Sequence, residues 1–199
     1  MQRGFWRAPW LRLTLAGGLL GMAIGVLYFF GFPSAESGPS DDGLIIQQPV
    51  VTPVSPVALG LGQPGPDFAL KDLQGQTVTL KSEIGHPILV NFWATWCEPC
   101  RIEMPVIENR YREYKASGFR VLAIDFDEPA ADVESFQEKL GLTFPVLLDP
   151  GGKVQSLYKV RGYPTSYFIN PAGEVAAVHI GLMSDAQLDA YLAQLGLKQ

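Results

Sequence analysis

A chain of 199 residues, 47% of them hydrophobic and 18% charged, has room for one ordinary domain with an apolar addition, and excludes a disordered or collagen-like protein. The net charge of −5, with Lys and Arg scattered singly after the first dozen residues, leaves no basic stripe to release counterions from a nucleic acid, so DNA and RNA are excluded as partners. The two cysteines are too few for a disulfide-stapled scaffold, and their close spacing narrows their use to redox or metal chemistry.

Leu13–Phe32 is an uncharged apolar run of the length that crosses about 30 Å of hydrocarbon. Arg3, Arg7 and Arg12 precede it, and Glu36, Asp41 and Asp42 follow. The positive-inside rule therefore predicts a cytoplasmic terminus at 1–12, a single N-terminal membrane anchor at 13–32, and export of everything beyond. A cleaved signal peptide has a shorter apolar region, about 7–15 residues, and ends in small residues, a pattern that Pro33-Ser34-Ala35 does not match. Between 33 and 65, Pro33, Pro39, Pro49, Pro53, Pro56 and Pro64 block helix and central strand alike, which predicts an extended Pro-rich linker.

Residues 66–199 carry the patterning of a folded domain. Phe68-Ala69-Leu70 and Thr77-Val78-Thr79-Leu80 predict a small hairpin around Asp72 to Gly75. Pro87 to Trp93, apolar except at Asn91, reads as a strand buried on both faces. Glu98 to about Ser117 reads as a helix ending at Gly118, and Pro105 is expected to kink it, leaving the Arg101 carbonyl without a donor. A strand at Arg120–Phe126 precedes a helix with Val133, Phe136 and Leu140 on one face and Gly141 as its stop; Pro145–Leu148 is strand-like. Ser166–Ile169 and Glu174–Ile180 flank the turn Asn170-Pro171-Ala172-Gly173, and Ser184 with Gln187 is a capping box opening the last helix. Parallel units first and a hairpin last predict an α/β fold around a mixed sheet.

Cys97 stands where the buried strand gives way to the helix, with Cys100 three residues further on. Unpaired N–H groups and the positive end of the helix dipole stabilise a thiolate at Cys97, the form that attacks a disulfide. Cys100, one turn on along the same face, can resolve the mixed disulfide by closing onto Cys97. A zinc half-site and a static disulfide are the competing uses. Zinc requires four ligands, whereas His86 and His179 offer no ligand spacing, so no metal is expected; so small a disulfide loop removes little unfolded-state entropy. Glu98 sets a negative charge between the cysteines and Pro99 removes a donor, which favours a reducing pair over an oxidising one.

Asn91-Phe92-Trp93-Ala94-Thr95-Trp96-Cys97-Glu98-Pro99-Cys100, together with Tyr163-Pro164-Thr165, resembles the thioredoxin superfamily. More narrowly, the chain resembles its membrane-anchored TlpA/ResA-type members of cytochrome c maturation. The resemblance spans essentially all of 66–199 and implies a thioredoxin-like fold: a central mixed sheet flanked by helices, with an N-terminal β-hairpin and an inserted strand–helix unit at about Val121 to Leu142. It implies a redox-active disulfide between Cys97 and Cys100, and no cofactor. Asn91 occupies the place of the buried Asp of thioredoxins, so a proton-transferring carboxylate must come from elsewhere. The resemblance gives that role to Glu103, whose pKa burial should raise towards neutrality. It also implies a cis bond before Pro164, a Tyr163 backbone that pairs with an extended client, and Trp96 as an apolar platform beside the nucleophile. The implied partners are disulfide-bonded exported clients, apocytochrome c first among them, and an integral-membrane thiol electron donor. A copper- or haem-handling chaperone with the cysteines as ligands is the alternative of a different class. Copper-assembly members of the superfamily, however, use a longer cysteine spacing and a downstream His.

Overall fold

The computed structural model of the chain describes residues 59–197. The expected anchor and most of the expected linker lie outside them, and among the described residues no helix is long and apolar enough to cross a membrane.

Strands β1 (Ala69–Asp72) and β2 (Thr77–Thr79) form the N-terminal antiparallel hairpin, whose turn is held by the Asp72 carboxylate accepting from the Gln74 and Gln76 N–H groups. Leu80, expected to end the second strand, instead opens the short helix α1 (Leu80–Glu83), because the Thr79 hydroxyl accepts from Ser82 N–H and caps it. Then follow β3 (Ile88–Trp93), α2 (Glu98–Tyr114), β4 (Arg120–Phe126), α3 (Ala130–Leu140) and β5 (Val146–Asp149). The chain continues with α4 (Lys153–Leu157), β6 (Thr165–Ile169), β7 (Val175–Ile180) and α5 (Asp185–Gln194). A 3-10 turn at Lys115–Ser117 extends α2 to Gly118, whose φ of 95° closes it, and Gly141 at φ 63° does the same for α3. The helix through Pro105 runs as one element.

The strands make one seven-stranded sheet in the order β2-β1-β5-β4-β3-β6-β7. β3, β4 and β5 run parallel, while β6, β7 and the hairpin are antiparallel to their neighbours. This is the mixed sheet flanked by helices that the sequence predicts. β3 sits between β4 and β6, and all six of its residues are buried. Side chains alternate faces along a strand. Leu89 and Trp93 accordingly join the core beneath α2, α3 and α5, whereas Ile88, Val90 and Phe92 join a second core with Leu80, Tyr158 and Tyr167 on the opposite face. Fully burying such side chains is worth about 1.5–3 kcal/mol each, and only a central strand offers burial on both faces. Asn91 is the polar interruption, on the face of β3 that lies beneath α2.

Candidate active site

Cys97 is the N-cap of α2, its backbone extended (φ −81°, ψ 104°), and Arg101 N–H closes the first helical bond onto its carbonyl at 3.1 Å. Pro99 costs the first turn nothing, since its missing N–H would have had no helical partner there. Cys97 and Cys100 form a disulfide, and the Cys97 sulfur accepts from Cys100 N–H at 3.2 Å. Cys100 is 1% exposed and Cys97 5%. Once the bond is reduced, a helix N-terminus favours a thiolate at its N-cap, whereas burial disfavours any charged thiol. Glu98 is solvent-facing and forms an i,i+3 pair with Arg101 at 3.7 Å, so the charge between the cysteines is partly met. Such an exposed pair is worth at most about 1 kcal/mol.

Glu103 lies one turn beyond Cys100, on the buried side of α2 and only 1% exposed. One of its carboxylate oxygens accepts from Asn91 Nδ2 at 3.0 Å, and the other from Met183 N–H at 2.9 Å. Asn91 Nδ2 also donates to Ser166 Oγ at 2.9 Å, so β3 and β6 together hold the acid in place. Burial pushes the Glu103 carboxyl up to about 7, against the opposing pull of the hydrogen bonds from Met183, Asn91 and Ser166. Asn91 therefore supports a buried carboxyl from β3 without being one.

Across from the helix, the Tyr163–Pro164 bond is cis, as the resemblance implies. The ring of Tyr163 meets Trp96 edge-on at 5.6 Å and stacks on Phe126 at 5.8 Å, and its hydroxyl donates to Gln155. Trp96 is 63% exposed, an apolar surface beside a buried disulfide, whereas Trp93 is wholly in the core against Phe136. The structure thus gathers Cys97, Cys100 and Glu103 on α2, with Trp96 and the Tyr163–Pro164 segment at the same end of the sheet.

Several residues that support this end are not among those the sequence singles out. Glu128 accepts from Thr95 N–H at 2.6 Å and from Thr95 Oγ1 at 2.5 Å, fixing the loop two residues before Cys97. Asp125 is fully buried in register with Trp93, accepts from Glu128 N–H at 3.2 Å, and has its carboxyl pushed up, by burial first and then by neighbouring Glu128. Phe126 stacks on the Tyr163 ring and Gln155 accepts from its hydroxyl. The run Asp125-Phe126-Asp127-Glu128 at the carboxyl end of a parallel strand carries a signal, because α/β sites gather at such ends. Gln155 sits on a five-residue helix with no periodicity to read.

Residues 61–178 match the AhpC/TSA family. The thiol-disulfide oxidoreductase ResA of Oceanobacillus iheyensis is 38% identical over 143 residues, covering 70% of this chain and 74% of that one. ResA of Bacillus subtilis is 36% identical over 131 residues, covering 66% and 73%. Among solved structures, the thiol:disulfide interchange protein DsbE of Chlorobium tepidum superposes with a TM-score of 0.65 at 37% identity, over 69% of this chain and 99% of its own. StoA of Bacillus subtilis does so at 0.56 with 27% identity, over 64% and 96%.

Proposed function

Because the chain belongs to the thioredoxin-like AhpC/TSA family, and within it to the thiol–disulfide oxidoreductases of the ResA type, we propose that it is a membrane-tethered, extracytoplasmic reductant of disulfides in exported proteins, with apocytochrome c as the foremost client. The observation that carries this reading is the buried Glu103 carboxyl, poised near neutrality one turn beyond Cys100.

In the reduced enzyme, the Cys97 thiolate attacks one sulfur of the client disulfide. The client S–S bond breaks, an enzyme–client S–S bond forms, and the departing client thiolate takes up a proton. Cys100, buried and protonated, next gives its proton to the Glu103 carboxylate and attacks the Cys97 sulfur. The Cys97–Cys100 disulfide forms and the second client thiolate leaves. The client gains two electrons and the cysteine pair loses two. Glu103 sheds its proton to solvent or to the leaving thiolate, and a carboxyl near pKa 7 does either at neutral pH. An oxidising compartment holds such a pair as the disulfide, so continued turnover requires an integral-membrane thiol donor. The anchor at 13–32 would keep the domain beside that donor. Trp96, Tyr163 and the cis Pro164 segment would receive the client, the Tyr163 backbone by strand addition.

Equilibration of the full-length protein against dithiothreitol or glutathione buffers tests the direction of electron flow. The expected midpoint lies below about −180 mV, the value of protein disulfide isomerase. A midpoint above it would make the pair an oxidant or isomerase and reject the reductant reading.

A further inference from the structure

β7 is an edge strand. Its first residue is covered, since Val175 exchanges hydrogen bonds with Gly62 and Gln63. Further along, Gly181 N–H donates to the Pro164 carbonyl at 2.8 Å, and the register pairs Ser166 with His179 and Phe168 with Ala177. Bonded and non-bonded pairs alternate in an antiparallel ladder, so the N–H and C=O groups of Val178 and Ile180 point away from β6. Among the described residues no strand takes them up.

Beside this open edge, on the sheet face opposite the cysteines, is a cavity of about 160 Å³ whose walls include Val160, Gly162, Thr165, Tyr167 and Ile180. Its surface is mainly apolar, and Ile180 at its rim is 69% exposed. Lys159 and Arg161 also border it, both exposed, and among the described residues neither forms an ion pair. Lys159 is held at a φ of 55°, an uncommon value for a residue with a Cβ, within the short segment that leads to Tyr163. Gly162 belongs both to the cavity wall and to the approach to the cis Pro164, and exposed Leu182 follows Gly181 on the other side. Open backbone groups, an apolar recess and two unpaired cations thus adjoin the segment at which the client is proposed to pair.

We propose that this edge is a docking subsite for an extended part of the disulfide client. Backbone bonds form to Val178 and Ile180, an apolar client side chain fills the recess, and acidic client residues beside it pair with Lys159 and Arg161. The inference rests on the reductase reading above and adds a preference to it: clients with an apolar residue flanked by acids. Unpaired cations beside an open edge repel basic segments and orient acidic ones.

The test compares three synthetic peptides with the same Cys-x-x-Cys disulfide: one without a tail, one extended at either end by Leu-Asp-Glu, and one extended by Leu-Lys-Lys. Each is reduced in a single turnover by the full-length dithiol protein, and the second-order rate constant is normalised to that of the tail-less peptide for the same protein. The acidic tail should exceed the basic one about five- to tenfold at low salt. In 1 M salt, where the screening length falls to about 3 Å, the ratio should approach one. The double charge reversal Lys159→Glu with Arg161→Glu should invert the preference, and Ile180→Asp should lower the acidic-tail value. Equal rates for both tails, with the tail-less peptide turned over normally, overturn the subsite and leave the reductase standing. Failure to reduce even the tail-less peptide overturns the reductase reading, and the subsite with it. A sedimenting dimer that Ile180→Asp dissolves would assign the edge to a second copy of the chain and likewise overturn the proposal.

Discussion

Replacing Glu103 by Gln removes a titration that the fold has displaced, and the size of that displacement sets the expected effect. The carboxyl moves from its ordinary 4.5 to about 7 on burial. Each pKa unit is worth about 1.36 kcal/mol, so the ionised form is about 3 kcal/mol costlier in the fold than in the unfolded chain. The folded state therefore binds the extra proton between pH 4.5 and 7. Glu103 costs the fold nothing below pH 4.5, and stability falls as pH rises through the folded value. Gln cannot ionise and shows none of this loss. It does surrender one acceptor, since its amide nitrogen must face either Asn91 Nδ2 or Met183 N–H, at a cost of about 1–3 kcal/mol at every pH. Urea unfolding of the oxidised proteins at pH 4.5, 6 and 8 isolates the effect, because disulfide cysteines do not titrate and Asp125 contributes equally to both proteins. The stability of Glu103→Gln relative to the parent should rise by about 3 kcal/mol from pH 4.5 to 8. In the dithiol state, resolution of the mixed disulfide should slow by about 10² at pH 7, while attack by Cys97 is retained. Parallel stability–pH curves, or an unchanged resolution rate, would show Glu103 to be an ordinary carboxylate and remove the proposed base.

Two further predictions concern the support of the site and the anchor. A Cβ at Gly152 would lie 2.6 Å from the Phe126 ring and 2.5 Å from Gln155 Nε2 at a φ of +62°. Gly152→Ala should therefore lower stability by about 1–3 kcal/mol in denaturant melts and raise KM for peptide disulfides, as Phe126 and Gln155 shift from Tyr163; a loss under about 0.5 kcal/mol would mean this support is unimportant. A protein lacking residues 1–33, exported through a cleavable signal, should fractionate as soluble and keep its redox potential, because among the described residues Phe68 to Leu197 supply the buried members of two cores that pack on both faces of one sheet. An insoluble or inactive product would make the N-terminal segment part of the fold.

The sequence carried most of the scaffold because its strongest signals were local. The run of β3, apolar but for Asn91, could be buried on both faces only at a sheet centre, and the Ser184–Gln187 box, with each side chain bonded to the other's backbone, fixed the start of α5 to the residue. Gly118 and Gly141 ended their helices in the left-handed conformation for which glycine is suited. α4 was not legible, since it spans five residues and is held by the Asp149 carboxylate accepting from Val154 and Gln155 N–H, a contact made across a turn. The direction of the Glu103 shift was readable from its place one turn after Cys100, but its partners were not. Asn91, Ser166 and Met183 come from three different stretches of chain that meet only in the folded sheet. The grip of Glu128 on Thr95 was hidden for the same reason, joining the end of β4 to the loop after β3.

In the proposed mechanism, Cys97 attacks client disulfides and Cys100 resolves them with the help of Glu103. Its most direct test is to produce Cys100→Ser and Cys97→Ser in the membrane of an exporting host, quench thiols with acid, and separate the products on non-reducing gels. Cys100→Ser should accumulate reducible mixed disulfides with exported proteins through Cys97, apocytochrome c among them, while Cys97→Ser should accumulate none. Equal trapping by the two variants, or none by either, would contradict the account.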